Sequence, residues 1–308
     1  MGFLNALPGA IAQGLIWGIM AIGLYISYKI LDIADLTVDG SITTGACVCG
    51  VLLVNGVPPI LCIIVAFLAG AIAGTITGLS HTLMGIPPIL AGILTQLILW
   101  SVNLKILGKA SLAISSRTYS VLLSMQNNPM AIVVAAIFCV AIIVLLYLFF
   151  YTEIGLSVKS TGDNADMSEA QGVNVKFNKV LGLAISNGLV ALSGALIAQY
   201  QGFVEINMGR GAIVIGLAAI IIGLSVSLKI KPNFVVSLIG VIGGSVAYYL
   251  VYTFVIWLGL DPDLLKMLSA IVVMFFLAFP YWKKQYFTKP KLPAEIAAAM
   301  KKGGNGNA

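Results

Sequence analysis

Apolar runs of about 20 residues, the length a helix needs to cross a hydrocarbon core, recur from the start of this sequence nearly to its end. Inside a bilayer the backbone must satisfy its own hydrogen bonds, and a helix does so within each segment. The charge content agrees. Only 9% of the 308 residues are charged and 60% are hydrophobic, whereas an ordinary soluble domain carries roughly 25% charged residues. The sequence therefore predicts an all-α, polytopic membrane protein. No stretch is left that would fold as a soluble domain.

About nine transmembrane helices are expected, at residues 9–28, 36–54, 58–79, 87–102, 130–151, 180–200, 212–228, 234–258 and 265–282. The fourth is short and reads as broken or re-entrant. Residues 1–282 form one transmembrane domain. The tail at 283–308 is rich in Lys, then in Pro and Gly, and is expected to be largely disordered. The positive-inside rule sets the orientation. With an outside N-terminus and a cytoplasmic C-terminus, 12 of the 17 Lys and Arg residues fall inside. The basic pI reflects these border residues and gives no reason to expect nucleic acid. No Lys or Arg precedes Lys29, so the first apolar run lacks the charged flank of a cleaved signal and is expected to stay as a span.

Ionisable groups within spans mark ion pathways, because burying them is costly. Here the span centres hold no Lys, Arg, Glu or His. Asp39 is the one acid expected within a span, with Asp32 and Asp35 just before it. That scarcity argues against a proton- or sodium-driven carrier, although uncharged oxygens also bind sodium. A secondary transporter or channel working without ATP is the alternative. Cys47, Cys49, Cys62 and Cys139 lie in apolar runs without the spacing of a metal site. No catalytic residues and no metal site are expected. Gly155-Leu156-Ser157-Val158-Lys159-Ser160 lacks the Gly before Lys that a phosphate loop requires. If ATP drives this protein, another chain binds it.

A weak internal echo links Asp35-Leu36-Thr37-Val38-Asp39-Gly40, followed by Gly45, to Glu205-Ile206-Asn207-Met208-Gly209-Arg210-Gly211, followed by Gly216. Opposite orientation of the two is what an inverted repeat gives; chance similarity in a Gly-rich chain gives the same pattern. Asp35, Thr37, Asp39, Gly40, Glu205, Asn207 and Gly211 are candidates for the pathway or for helix breaks. The acids either touch cargo or cap helix ends.

One internal loop, within 152–176, is unusually polar. Its residues 164–171 form a compact helical candidate, with Asp163 as N-cap, Asp166 in the first turn and Gly172 as the stop. A short helix tied to spans at both ends can transmit force.

Four stretches carry a family resemblance: Gly14 to Leu31, Ile33 to Ala46, Gly162 to Asn174, and Asn187 to Gly202. The chain resembles the permeases of bacterial ABC importers for branched-chain amino acids and ribose. It is most similar to the group paired with tryptophan- or tyrosine-type binding lipoproteins. The likeness runs to about Trp282, and the last two stretches are the specific ones. The chain departs from ribose-type members in lacking their extra N-terminal span. The resemblance implies a coupling helix at 162–174 seated on an ATPase subunit, with contact through Gly162, Asp163, Asn164, Met167, Glu169, Gly172 and Asn174. It implies ATP and Mg on that subunit, with no cofactor on this chain. It implies a permease dimer, with two copies of this chain favoured over a heterodimer. A binding lipoprotein is expected to meet Lys105, Lys109, Arg117 and the 205–210 segment in a bacterial plasma membrane. Aromatic or branched-chain amino acids are the expected cargo; nucleosides and sugars stay open. No charged clamp for an amino-acid carboxylate is expected at mid-membrane.

Overall fold

Helices account for nearly all of the chain's regular structure. The computed structural model describes residues 3–115, 119–230 and 233–258, with single positions beyond. The ninth expected span, the basic tail and Arg117 lie outside the described residues. Among those described, six helices are long and apolar enough to cross a membrane, and two shorter apolar helices accompany them.

Helix α1 (Phe3–Tyr25) runs on into a π-helical turn at Ile26–Ile30. The chain then reverses through Asp32, whose φ of 54° is left-handed, a conformation that Asp tolerates better than most residues. Helix α2 (Val38–Val54) is short. Helices α3 (Pro59–Thr82), α4 (Pro88–Leu107) and α5 (Asn128–Phe150) follow. The first two open on Pro, and α5 carries Pro129 in its first turn. Proline suits these positions because the first N–H groups of a helix have no partner to lose. Two small helices, α6 (Glu153–Asp163) and α7 (Ala165–Ala170), lead into α8 (Val175–Gln201), and α9 (Ala212–Ile230) and α10 (Phe234–Trp257) complete the described set. Strands β1 (Ser111–Ala113) and β2 (Phe203–Glu205) pair antiparallel, with Ser111 opposite Glu205. This ribbon caps one end of the bundle; α6 and α7 sit at the other.

One expectation about the spans changes. The fourth span is not broken: α4 is a continuous 20-residue helix. Helix α2 begins two residues later than expected, at Val38, and α9 begins at Ala212 as expected.

Helix α8 is the axis of the fold. It packs on α1, α2 and α3, and most of its side chains from Ser186 to Tyr200 are buried. Helices approach it through glycine. Gly70, Gly74 and Gly78 of α3 meet Asn187 and Ala191, then Leu183, then Val180. Gly23 of α1 faces Ser186, and Gly45 of α2 lies against the Ala191 backbone. These glycines make intramolecular seams of the small-residue kind that let membrane helices touch closely. Helices α3, α4 and α5 turn large apolar side chains outward, among them Ile72, Leu97 and Leu145. Such a surface suits lipid or another apolar partner.

The Gly45 seam has a measurable consequence. A Cβ at Gly45 would overlap the backbone of Ala191, whereas one at Gly243 would meet nothing within 4 Å. Gly45→Val is expected to lower the melting temperature in nanodiscs sharply, since overpacking costs about 1–3 kcal/mol or more. Gly243→Ala is expected to hold or raise it. Equal melting of the two variants would show that the α2–α8 seam is not close-packed.

Candidate functional site

Two helices begin inside the bundle, and their exposed N–H groups set the polar chemistry there. The first four N–H groups of any helix lack intrahelical partners. In a bilayer each one left unsatisfied is expensive. Carboxylates meet this need and also sit favourably at the positive end of the helix dipole.

At the start of α2, Asp35 Oδ1 accepts the Thr37 N–H at 2.8 Å, and Asp35 Oδ2 accepts Asn187 Nδ2 at 2.6 Å. Asn187, mid-way along α8, also accepts Ser41 Oγ–H on its Oδ1 at 2.6 Å. Thr37 Oγ1 and Thr77 Oγ1 share a hydrogen bond at 2.8 Å, and Thr77 Oγ1 also lies 3.2 Å from the Ala73 carbonyl. Asp35 is 1% exposed and Asn187 0%. Three helices are thus pinned to one break in the chain.

One turn further, Asp39 reaches across to α9. Its Oδ2 accepts the Gly211 N–H and its Oδ1 the Ile213 N–H, both at 2.9 Å. Thr43 Oγ1 accepts the Gly209 N–H at 3.2 Å. The start of α9 therefore lies level with the middle of α8, through Asp39 and then the Ser41–Asn187 bond. Helix α2 runs from there towards the ribbon, as its Cys49–Gln199 contact shows. Helix α9 runs the opposite way, antiparallel to α10 through Gly244–Ala219 and Gly240–Ser227.

The structure brings together Asp35, Thr37, Asp39, Gly40 and Gly211 from the predicted set. It leaves Glu205 in β2 at the ribbon, exposed, and Asn207 exposed in the turn that follows. Glu205 pairs with Ser111 in the ribbon, whereas Gly211 is bonded to Asp39, so the two ends of the 205–211 segment serve different parts of the fold.

At the opposite end of the bundle, three short-range caps organise the polar segment. Thr152 Oγ1 accepts the Gly155 N–H at 3.2 Å and starts α6. Asn164, extended at φ −160° and ψ 103°, ends α6 and starts α7, its Oδ1 accepting the Met167 N–H at 3.0 Å. Asn174 Oδ1 accepts the Phe177 N–H at 3.1 Å and starts α8. The cap of α7 is therefore Asn164 and not Asp163, because Asp163 is still the last residue of α6. The residues before it are helix, not loop. Gly172 follows α7 with a φ of 83°, the left-handed conformation that glycine adopts without strain.

This end is tied to the bundle. Asn178 of α8 donates from Nδ2 to Thr161 Oγ1 at 2.9 Å and accepts Ser157 Oγ–H at 3.2 Å. Gly162 lies directly on the Ile30 carbonyl at the end of the π-helical turn. On α7 itself Ser168 is buried, while Asp166, Met167 and Glu169 face outward, Met167 at 61% exposure.

Residues 7–277 match the family described as the branched-chain amino acid transport system, permease component. The chain belongs to that family. A tyrosine transport system permease protein of Clostridioides difficile is 40% identical over 275 residues, 89% of this chain and 91% of that one. An uncharacterised protein of Rickettsia prowazekii is 34% identical over 273 residues, 88% and 96% of the two chains. No solved structure matches.

In this permease the break between α2 and α9 borders a cavity of about 150 Å³ against α4, lined by Asp39, Thr43, Gln96, Trp100, Asn103 and Arg210. Asn103 is 1% exposed, and its Oδ1 has no hydrogen-bond partner among the described residues. Arg210, between Gly209 and Gly211, stands level with Asp39. Arg210, expected with the rest of the 205–210 segment to meet the binding lipoprotein, is exposed and lines this cavity. Asn187 and Ser41 were missed. Their signal was present: strong hydrogen-bonding groups inside otherwise apolar spans. Lys105 and Lys109 are exposed near the ribbon.

Proposed function

We propose that this chain is the membrane-spanning subunit of an ATP-driven importer in a bacterial plasma membrane. It takes a small solute, an aromatic or branched-chain amino acid, from a binding lipoprotein at the ribbon end and passes it through a dimer of two copies of itself. ATP and Mg reside on a partner ATPase at the α7 end, which is cytoplasmic, as is the C-terminus; the N-terminus is outside.

The observation that carries this reading is α7. It is capped at both ends, fixed through α6 to α8 and α1, and turns an apolar Met167 and an acidic Glu169 outward. An exposed apolar residue beside charge on a rigid short helix suits a groove on another protein. The tyrosine permease relative favours an amino acid as cargo. Glu205, Lys105 and Lys109 at the ribbon suit the lipoprotein.

The test is a Met167→Asp, Glu169→Lys variant of the tagged protein, purified from its native membrane. ATPase co-purification is expected to fall to background, and amino-acid uptake to fall about tenfold or more, as for central interface residues. Melting is expected to stay within a few degrees, because both side chains face outward. Undiminished assembly and uptake would overturn the reading, as would uptake that survives ATP depletion and follows an imposed ion gradient.

A further inference from the structure

The cavity between α2, α4 and the entry to α9 has the chemistry of a zwitterion. Arg210 is exposed at this cavity, so its guanidinium is free to meet an anion there. Arg210 has no carboxylate partner within 4.0 Å among the described residues, although Asp39 lines the same cavity. Asp39 spends one bond of each oxygen on the α9 N-terminus. A carboxylate has about four lone-pair sites, so acceptor capacity remains. The orphan Oδ1 of Asn103 is a further buried acceptor on the same wall. A buried polar atom without a partner calls for an explanation, and a bound donor supplies one.

We propose that this cavity holds the α-amino and α-carboxyl groups of the cargo. The carboxylate meets the Arg210 guanidinium, and the ammonium donates to Asp39 and to Asn103 Oδ1. A space of about 150 Å³ has room for the ammonium and carboxylate groups of one amino acid. The side chain of the cargo then lies along Trp100 and Leu97, on the outward face of α4. A sugar or nucleoside would leave Arg210 without a counter-charge. The inference rests on the permease reading but not on the source of energy.

The test is equilibrium binding of tritiated L-tyrosine, L-tryptophan and L-leucine to the purified full-length permease in nanodiscs. At least one is expected to bind and to be displaced by its unlabelled form. Tyramine, which lacks the carboxylate, and 4-hydroxyphenylpropionate, which lacks the ammonium, are expected to displace it at least about tenfold less well, the loss typical of one charged hydrogen bond. Arg210→Gln is expected to weaken binding by a similar factor, with Arg210→Lys between it and the parent protein. Asn103→Leu is expected to weaken binding without lowering the melting temperature, since it removes a buried oxygen that has no partner among the described residues. Binding unchanged in Arg210→Gln and Asn103→Leu, equal displacement by the two truncated compounds, or no binding of any of the three would overturn the proposal. If Arg210-dependent binding is found while uptake proves independent of ATP, the importer reading fails and the site stands.

Discussion

Replacement of Asn187 by leucine is expected to be among the most damaging single changes in this protein. Leucine has similar volume, so the effect is chemical. Asp35 would lose its side-chain donor at 2.6 Å, and Ser41 would lose its acceptor. Asp35 is 1% exposed, so water cannot take over. A hydrogen bond to a charged group contributes about 1.5–3 kcal/mol, and leaving the buried carboxylate and the Ser41 hydroxyl short of partners adds to the loss. At 2–4 °C per kcal/mol for a protein near this size, melting should fall on the order of 10 °C. The double variant Asp35→Leu, Asn187→Leu removes both groups and should recover much of that loss, because an apolar pair of like volume is often no less stable. Melting of the single variant at the parent temperature would show that Asp35 is not held by Asn187.

Asp39→Ala should act differently, by fraying one helix. It strips the Gly211 and Ile213 N–H groups of their acceptors, and each unsatisfied buried group costs about 1–3 kcal/mol. Amides at 211–215 should exchange with deuterium about tenfold to a hundredfold faster, while those of α8 keep their protection. Asp39→Asn retains one acceptor oxygen and should fall between. Uniform exchange across parent and both variants would show that Asp39 does not cap α9.

Much of this was legible in the sequence because one rule dominates in lipid: apolar runs of sufficient length become helices. Eight of the nine expected spans have a helical counterpart among the described residues. The starts expected at 58, 87 and 130 lie within two residues of the observed starts of α3, α4 and α5. The misreading of α4 has one cause. Hydropathy records which residues are apolar, not the depth at which a segment breaks. So α4 looked short and broken although it is one continuous helix, whereas the helix breaks expected at 35–40 and 205–211 do precede α2 and α9. The displacement of the α7 cap from Asp163 to Asn164 is smaller in origin. Both residues cap helices well, and the choice depended on where α6 ended. Helix α6 was hidden by its own polarity, since Leu156 and Val158 lie among serines and threonines.

Helix α8 is stiff, and its polar residues are spaced along it. Asn178 grips α6, and Asn187 grips the break before α2, nine positions away, or about 14 Å of helix. Between α7 and α8 lies only the turn 171–174, which is bonded back onto α7 through Val173 N–H to the Ser168 carbonyl. A push on α7 would then reach Asp35 as rotation or translation of a rod. Softening that rod, for example by inserting a glycine pair between the two asparagines, should disengage the ends mechanically while each remains well formed, as a slipping clutch separates a sound engine from a sound wheel.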